Sequence, residues 1–189
     1  MHLKKAIVIV LILSVPVLVA AQKYKAINRI KVIEYLNKYE DTLNPIEGIW
    51  SLSVVSTLYD REGNEVKQIA EKNKSTWAVI NIEEDKFLVI DIGESAENCP
   101  EDFVAYFEST SDNDTYNYRC LFKKPDWLAN TDATLSEGSV LEYDYFVSKK
   151  YMKKHQNYFL KRGLWLHWSF VWIKKYPQED NIASSIIKL

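Results

Sequence analysis

Asn44-Pro45-Ile46-Glu47-Gly48-Ile49-Trp50 is the stretch on which the fold turns, because an amphipathic segment ends there and a long series of strand-like runs begins. A glycine two residues before a tryptophan, at the mouth of a first strand, lets the backbone bend where no Cβ fits. The indole can then plug one end of a closing sheet. Gly48 and Trp50 are therefore expected at the base of a barrel. Upstream, Ile27, Ile30, Ile33 and Leu36 recur at three-residue steps, with Tyr35 and Tyr39 four apart, as on one face of a helix. Such a helix either forms a lid over one opening or packs so as to close the bottom.

Downstream, Ile49–Tyr59 is β-rich and Asp60–Asn64 supplies turn residues. A second strand is expected from Glu65 to about Ala70, broken by the polar Glu71–Lys74. Thr76–Ile82 and Phe87–Ile92 then form a hairpin whose interior is apolar on both faces, so something must cover both sides: a barrel interior and the N-terminal helix. Taking Ser111–Asp114 as the next turn pairs Phe103 with Phe122, Ala105 with Cys120 and Phe107 with Tyr118, all on one face, and leaves Asn117, Arg119 and Lys123 to solvent. The stretch from Lys124 to Gly138 reads as a long irregular loop. Val140–Val147 is a strand with Leu141, Tyr143 and Tyr145 on one side. Ser148–Gly163 fits either a helix capped by Ser148 or two short strands, and the strand reading is preferred. Leu164–Tyr176 alternates Leu166, Trp168, Phe170 and Trp172 with Trp165, His167, Ser169 and Val171, and should close the sheet against the first strand.

The fold expected is all-β, an antiparallel barrel with one N-terminal helix. Its parts are a leader over 1–21, the helix within 22–44, the barrel over 45–177 and a tail over 178–189. A chain of 189 residues with 47% apolar and 26% charged residues can bury one real core, and 13% aromatics suit half-buried strands. Lys4 and Lys5, the apolar run Ala6–Ala20 and the small residues Val19-Ala20-Ala21 form a secretory leader, with cleavage before Gln22 and no stable membrane span afterwards. A periplasmic or secreted location follows from that reading. Losing two lysines and no acid takes the formal charge from -2 to -4, which argues against nucleic acid as the main partner.

Cys99 and Cys120 enter a compartment that permits a disulfide. The hairpin register puts Cys120 on a core face, where a free thiol is also content, so both readings stand. No G-x-S-x-G, catalytic cysteine context or phosphate loop appears, and the chain is read as non-enzymatic. His155 and His167 lack metal-ligand spacing, and neither a metal nor a cofactor is expected. Glu83-Glu84-Asp85 and the 111–114 turn read as solvated. The face carrying Phe103, Phe107, Tyr118, Tyr143, Tyr145 and Trp168, joined by Phe122 and Trp172, is the candidate lining of a pocket for a small hydrophobic ligand, provided a void of roughly 300 Å³ or more remains. The alternative is a filled barrel serving as a structural or interaction module of the cell envelope, with its protein partner open.

Gly48-Ile49-Trp50 resembles the G-x-W signature at the first strand of lipocalins and related calycin barrels. The wider string Pro45–Trp50, together with Trp172-Ile173-Lys174-Lys175-Tyr176-Pro177, is similar to lipocalin-like domains in exported proteins of the Bacteroidetes. The resemblance implies an up-and-down barrel that binds a small apolar molecule, and it departs from the lipocalin pattern in lacking a T-D-Y motif before a late strand.

Overall fold

The computed structural model describes residues 29–93, 103–123 and 126–177. The leader, the first part of the N-terminal segment, Cys99 and the 178–189 tail lie outside the described residues. Eight strands form a closed antiparallel barrel in chain order: β1 (Gly48–Tyr59), β2 (Glu65–Glu83), β3 (Lys86–Asp91), β4 (Phe103–Ser109), β5 (Thr115–Lys123), β6 (Asp126–Ser136), β7 (Val140–Phe146) and β8 (Trp165–Tyr176). The seam is the long β1–β8 ladder from Ile49 opposite Tyr176 to Tyr59 opposite Trp165. Between β4 and β5 the pairs are Phe103–Phe122, Ala105–Cys120 and Phe107–Tyr118, the register that the aromatic alternation demands.

Helix α1 (Arg29–Lys38) packs on the outer wall. Its buried seam is Val32 and Leu36, one turn apart, packed on Ile49, Ala78, Ile80 and Leu88; Ile30, expected on that face, is 66% exposed. This explains why β2 and β3 are apolar on both sides. Trp77, Val79, Phe87 and Val89 face the interior, while Ala78, Ile80 and Leu88 face the helix.

Three local expectations are corrected. The polar run Glu71–Lys74 does not end a strand, because β2 continues through it by way of a bulge: Leu52 lies opposite Ser75 and Val54 opposite Glu71. Asn73 takes φ 48° there, a conformation asparagine tolerates. Its amide donates to Ser53 Oγ (3.1 Å), and its side chain accepts from Ser51 Oγ (2.8 Å). The expected loop over 124–138 is instead mostly β6, laddered to β5 from Lys123–Asp126 to Thr115–Thr134. Its interior positions are the small Ala129 and Ala133 beside Leu135, and a neighbouring ladder overrides the weak strand preference of Asn130 and Asp132. Finally, 148–163 is helical and not two strands: α2 (Lys149–His155) and α3 (Asn157–Lys161). Ser148 Oγ accepts from the Tyr151 amide (3.2 Å), Lys153, Lys154 and His155 complement the C-terminal end of α2, and Met152 is buried.

Candidate functional site

The 44–50 stretch forms a closed base. Trp50 is fully buried and its Nε1 donates to the Ile46 carbonyl (3.0 Å). Glu47, 4% exposed, accepts at Oε1 from the Tyr35 hydroxyl (2.8 Å) and the Asn81 amide (2.9 Å), and at Oε2 from the Asn44 amide (2.9 Å). A buried carboxylate surrounded by three donors joins α1, the turn and β2 at one point. Asn44 Oδ1 in turn accepts from the Tyr116 hydroxyl (2.8 Å) and the Ile46 amide (3.2 Å). Lys174 donates to the Pro45 carbonyl and stands 5.0 Å from the centre of the Trp50 ring. Burial, then the hydrogen bond to Glu47, pushes the Tyr35 hydroxyl well up, and burial with the nearby Asp114 charge raises Tyr116 to about 12.

Above the base the barrel is solid. Phe107 is fully buried against Tyr118 (5.1 Å between ring centres), Trp172 (5.8 Å) and Tyr143 (6.1 Å). Tyr143 is sandwiched between Tyr118 (4.2 Å) and Phe170 (4.8 Å). Higher still lies a cavity of about 510 Å³. Phe103, Tyr118, Tyr143, Tyr145 and Trp168 line it, as do Phe122 and Trp172, whereas Phe107 sits below its floor and does not line it.

Two parts of the wall were not expected from sequence. The β1–β2 side contributes Leu52, Val54 and Leu58 and, at the rim, Lys67, Ile69, Glu71 and Lys74, where Lys74 and Glu71 pair at 2.7 Å. The helices α2 and α3 contribute Tyr151, Gln156 and Phe159. Tyr151 meets the rings of Trp168 (5.4 Å), Phe122 (5.6 Å) and Trp127 (5.7 Å), so these helices form the partial roof that the N-terminal helix does not.

Among the described residues, the side chains that line the cavity below its rim are uncharged types. Burial raises the hydroxyls of Tyr118, Tyr143 and Tyr145 far above their ordinary range, and it raises the Cys120 thiol to about 12. Among the described residues Cys120 is bonded to no other cysteine, and it is 2% exposed. The Trp172 indole N–H approaches the Tyr143 hydroxyl without reaching hydrogen-bond geometry, which leaves a buried donor unmatched.

On the outer face, His167 Nε2 lies 3.0 Å from Asp144 Oδ1, and Ser169 Oγ lies 3.5 Å from His167 Nδ1. The residue types are those of a hydrolase triad. However, the three sit on the outside of β7 and β8, and β8 is laddered on both sides, so its amides do not supply an oxyanion hole. Phe146 (4.7 Å) and Tyr59 (6.1 Å) flank the imidazole, and the set reads as a surface hydrogen bond between aromatic rings. Among the described residues no group of three or more His, Cys, Asp or Glu side chains could hold a metal, and no helix is long and apolar enough to cross a membrane.

No family model matches this chain, and neither does any curated protein. Among solved structures, a redesigned β-barrel is similar over 71% of this chain and 93% of its own, at 13% identity and a TM-score of 0.38. At that score the likeness carries no argument, and the closed barrel rests on the ladders themselves.

Proposed function

We propose that this chain is an exported, lipocalin-like, non-enzymatic protein that binds a small apolar molecule in its barrel. The observation that carries the reading is the cavity of about 510 Å³, floored by aromatic rings and partly roofed by α2 and α3. Its volume lies within the range of small-molecule sites, and its make-up, mostly apolar with a few hydroxyls, is what such sites share. The charged side chains that reach it stand at the rim. A charge carried to the floor would meet no opposite charge, so the inner part of the ligand is uncharged. The filled-barrel alternative describes the lower half of the interior, around Phe107, and not the upper half.

Trp77, Trp168 and Trp172 line the cavity and report on its contents. Titration with 1-dodecanol and with protoporphyrin should give a saturable change in tryptophan emission for at least one of them. Ser56 also lines the cavity, and a Ser56→Trp variant should lose at least about tenfold in affinity while melting within a few degrees of the parent. If neither probe binds and native mass spectrometry of protein from its own source finds no carried molecule, the carrier reading fails and the envelope module takes its place.

Export is a separate element of the proposal, supported by the tripartite segment over 1–21. N-terminal sequencing of protein recovered from cells should begin at Gln22 or a neighbour, in a periplasmic or culture-fluid fraction. Intact Met1 in the membrane fraction would overturn it.

A further inference from the structure

β2 is longer than the strand on its far side. It ladders to β1 along nearly its whole length, but its ladder to β3 runs from Trp77 to Glu83, and one further bond, from the Ile92 amide to the Thr76 carbonyl, extends it. Among the described residues, Glu65–Ser75 therefore has a partner strand on one edge and none on the other. All of Glu65–Lys74 is exposed, including Val66 at 54% and Ile69 at 49%. An open strand edge of this length is a template for another strand, and its sequence decides which one it accepts.

The regular part of this edge, before the bulge, is Lys67-Gln68-Ile69-Ala70-Glu71, paired residue for residue with Leu58 to Val54 of β1. This segment is self-complementary. An antiparallel pair of two copies related by a two-fold axis through Ile69 sets Ile69 against Ile69, Gln68 against Ala70, and Lys67 against Glu71 twice. In that arrangement Lys67, Ile69 and Glu71 stay together on the cavity face. The other registers that keep the faces aligned are unfavourable. Centring on Lys67 or on Glu71 opposes two like charges, centring on Gln68 opposes Glu65 and Glu71 twice, and centring on Ala70 puts Ile69 against Glu71. Lysines on an edge ordinarily discourage pairing, but here one register neutralises them.

We infer that the exposed edge of β2 is a homodimer interface, formed by antiparallel pairing of Lys67–Glu71 with the same segment of a second copy. The two β1–β2 walls then join beside the cavity mouths. The inference goes beyond the ligand-binding reading and does not depend on it. A ladder this short buries less than the roughly 1,200–2,000 Å² of a standard stable interface, so the dimer is weak and reversible.

Sedimentation equilibrium of the full chain from about 10 µM to about 1 mM tests it, a span chosen because small interfaces dissociate in that range. The weight-average mass should rise toward twice the monomer. Lys67→Glu and Glu71→Lys, each of which opposes like charges, should both keep the sample monomeric. The double variant restores both cross-pairs and should dimerise as the parent does. Far-ultraviolet circular dichroism should be the same for all four proteins, since both side chains are exposed. Slower amide exchange within 67–71 at the high concentration should accompany dimerisation. A monomer throughout overturns the inference. So does a dimer indifferent to Lys67→Glu, or a double variant that fails to recover, because either places the contact elsewhere.

Discussion

Gly48→Ala is expected to cost the barrel about 4 kcal/mol or more, the sum of a strained backbone and a clash that side-chain motion cannot relieve. Gly48 has φ +146°, and a Cβ built there would stand 2.2 Å from the Tyr176 carbonyl oxygen, a backbone atom of the β8 strand that closes the sheet. Accommodating the methyl means moving β1 and β8 apart at the seam, beneath the Trp50 plug. Gly63 provides the internal control: it too has positive φ, +86°, but a Cβ there meets nothing within 4 Å. Gly63→Ala should cost about 1 kcal/mol from backbone strain alone. Urea unfolding of the two variants should show a much lower midpoint for Gly48→Ala at unchanged slope. Equal midpoints would mean that the seam is soft and that Gly48 is a loop residue like any other.

What could be read from the sequence, and what could not, follows from how each element is stabilised. The β4–β5 register was legible because large side chains alternate with polar ones on both strands, and a slip of one residue would reverse every one of them. β6 was not, since two of its buried residues, Ala129 opposite Cys120 and Ala133 opposite Tyr116, are small, and smallness does not register as hydrophobic alternation. In 148–163 the preferred strands lost to helices because local signals prevailed: the Ser148 cap, and Met152 placed to bury itself under the roof. The α1 face was legible in part: Leu36 is buried against the barrel wall and Ile33 packs beside it, as the three-residue steps suggest, but Ile30 turns out to solvent and Val32 is the second buried residue.

The candidate site divides along the same line. Alternation shows which residues of a strand face inward, and it picked out the aromatic lining on β4, β5, β7 and β8. It does not show depth, so Phe107 and Tyr118, cross-strand neighbours, could not be assigned to floor and cavity. Glu47 had no sequence signal as a buried group. A glutamate after Asn-Pro-Ile reads as a solvated turn residue, and it is buried because donors from α1 and β2, distant in the chain, converge on it.

Stability should fall steeply above about pH 9, with cooperative unfolding near pH 11 at ordinary temperature. The thiol of Cys120 is held up to about 12 by burial, and burial raises Tyr118, Tyr143 and Tyr145 well beyond their ordinary value of 10.0. In each case the folded state favours the protonated form. Below the unfolded values, near 9.0 for the thiol and 10.0 for the phenols, both states hold the proton and stability is complete. Above them the unfolded chain releases protons that the native protein retains, so stability declines with each further pH unit by up to about 1.4 kcal/mol per group. By pH 11 the thiol alone contributes a loss of roughly 2–3 kcal/mol and the three phenols add to it in the same direction, a large share of the stability of a domain this size. Urea unfolding under reducing conditions at stepped pH measures this directly. Cys120→Ala should move the onset from near pH 9 to near pH 10, since the phenols then act alone. Phenolate absorbance should rise together with unfolding and not before it. Phenols that ionise at ordinary values in the folded protein, with stability flat to pH 11, would show that water reaches the tyrosine hydroxyls. The cavity would then be wet down to its floor, and the case for an apolar guest would weaken with it.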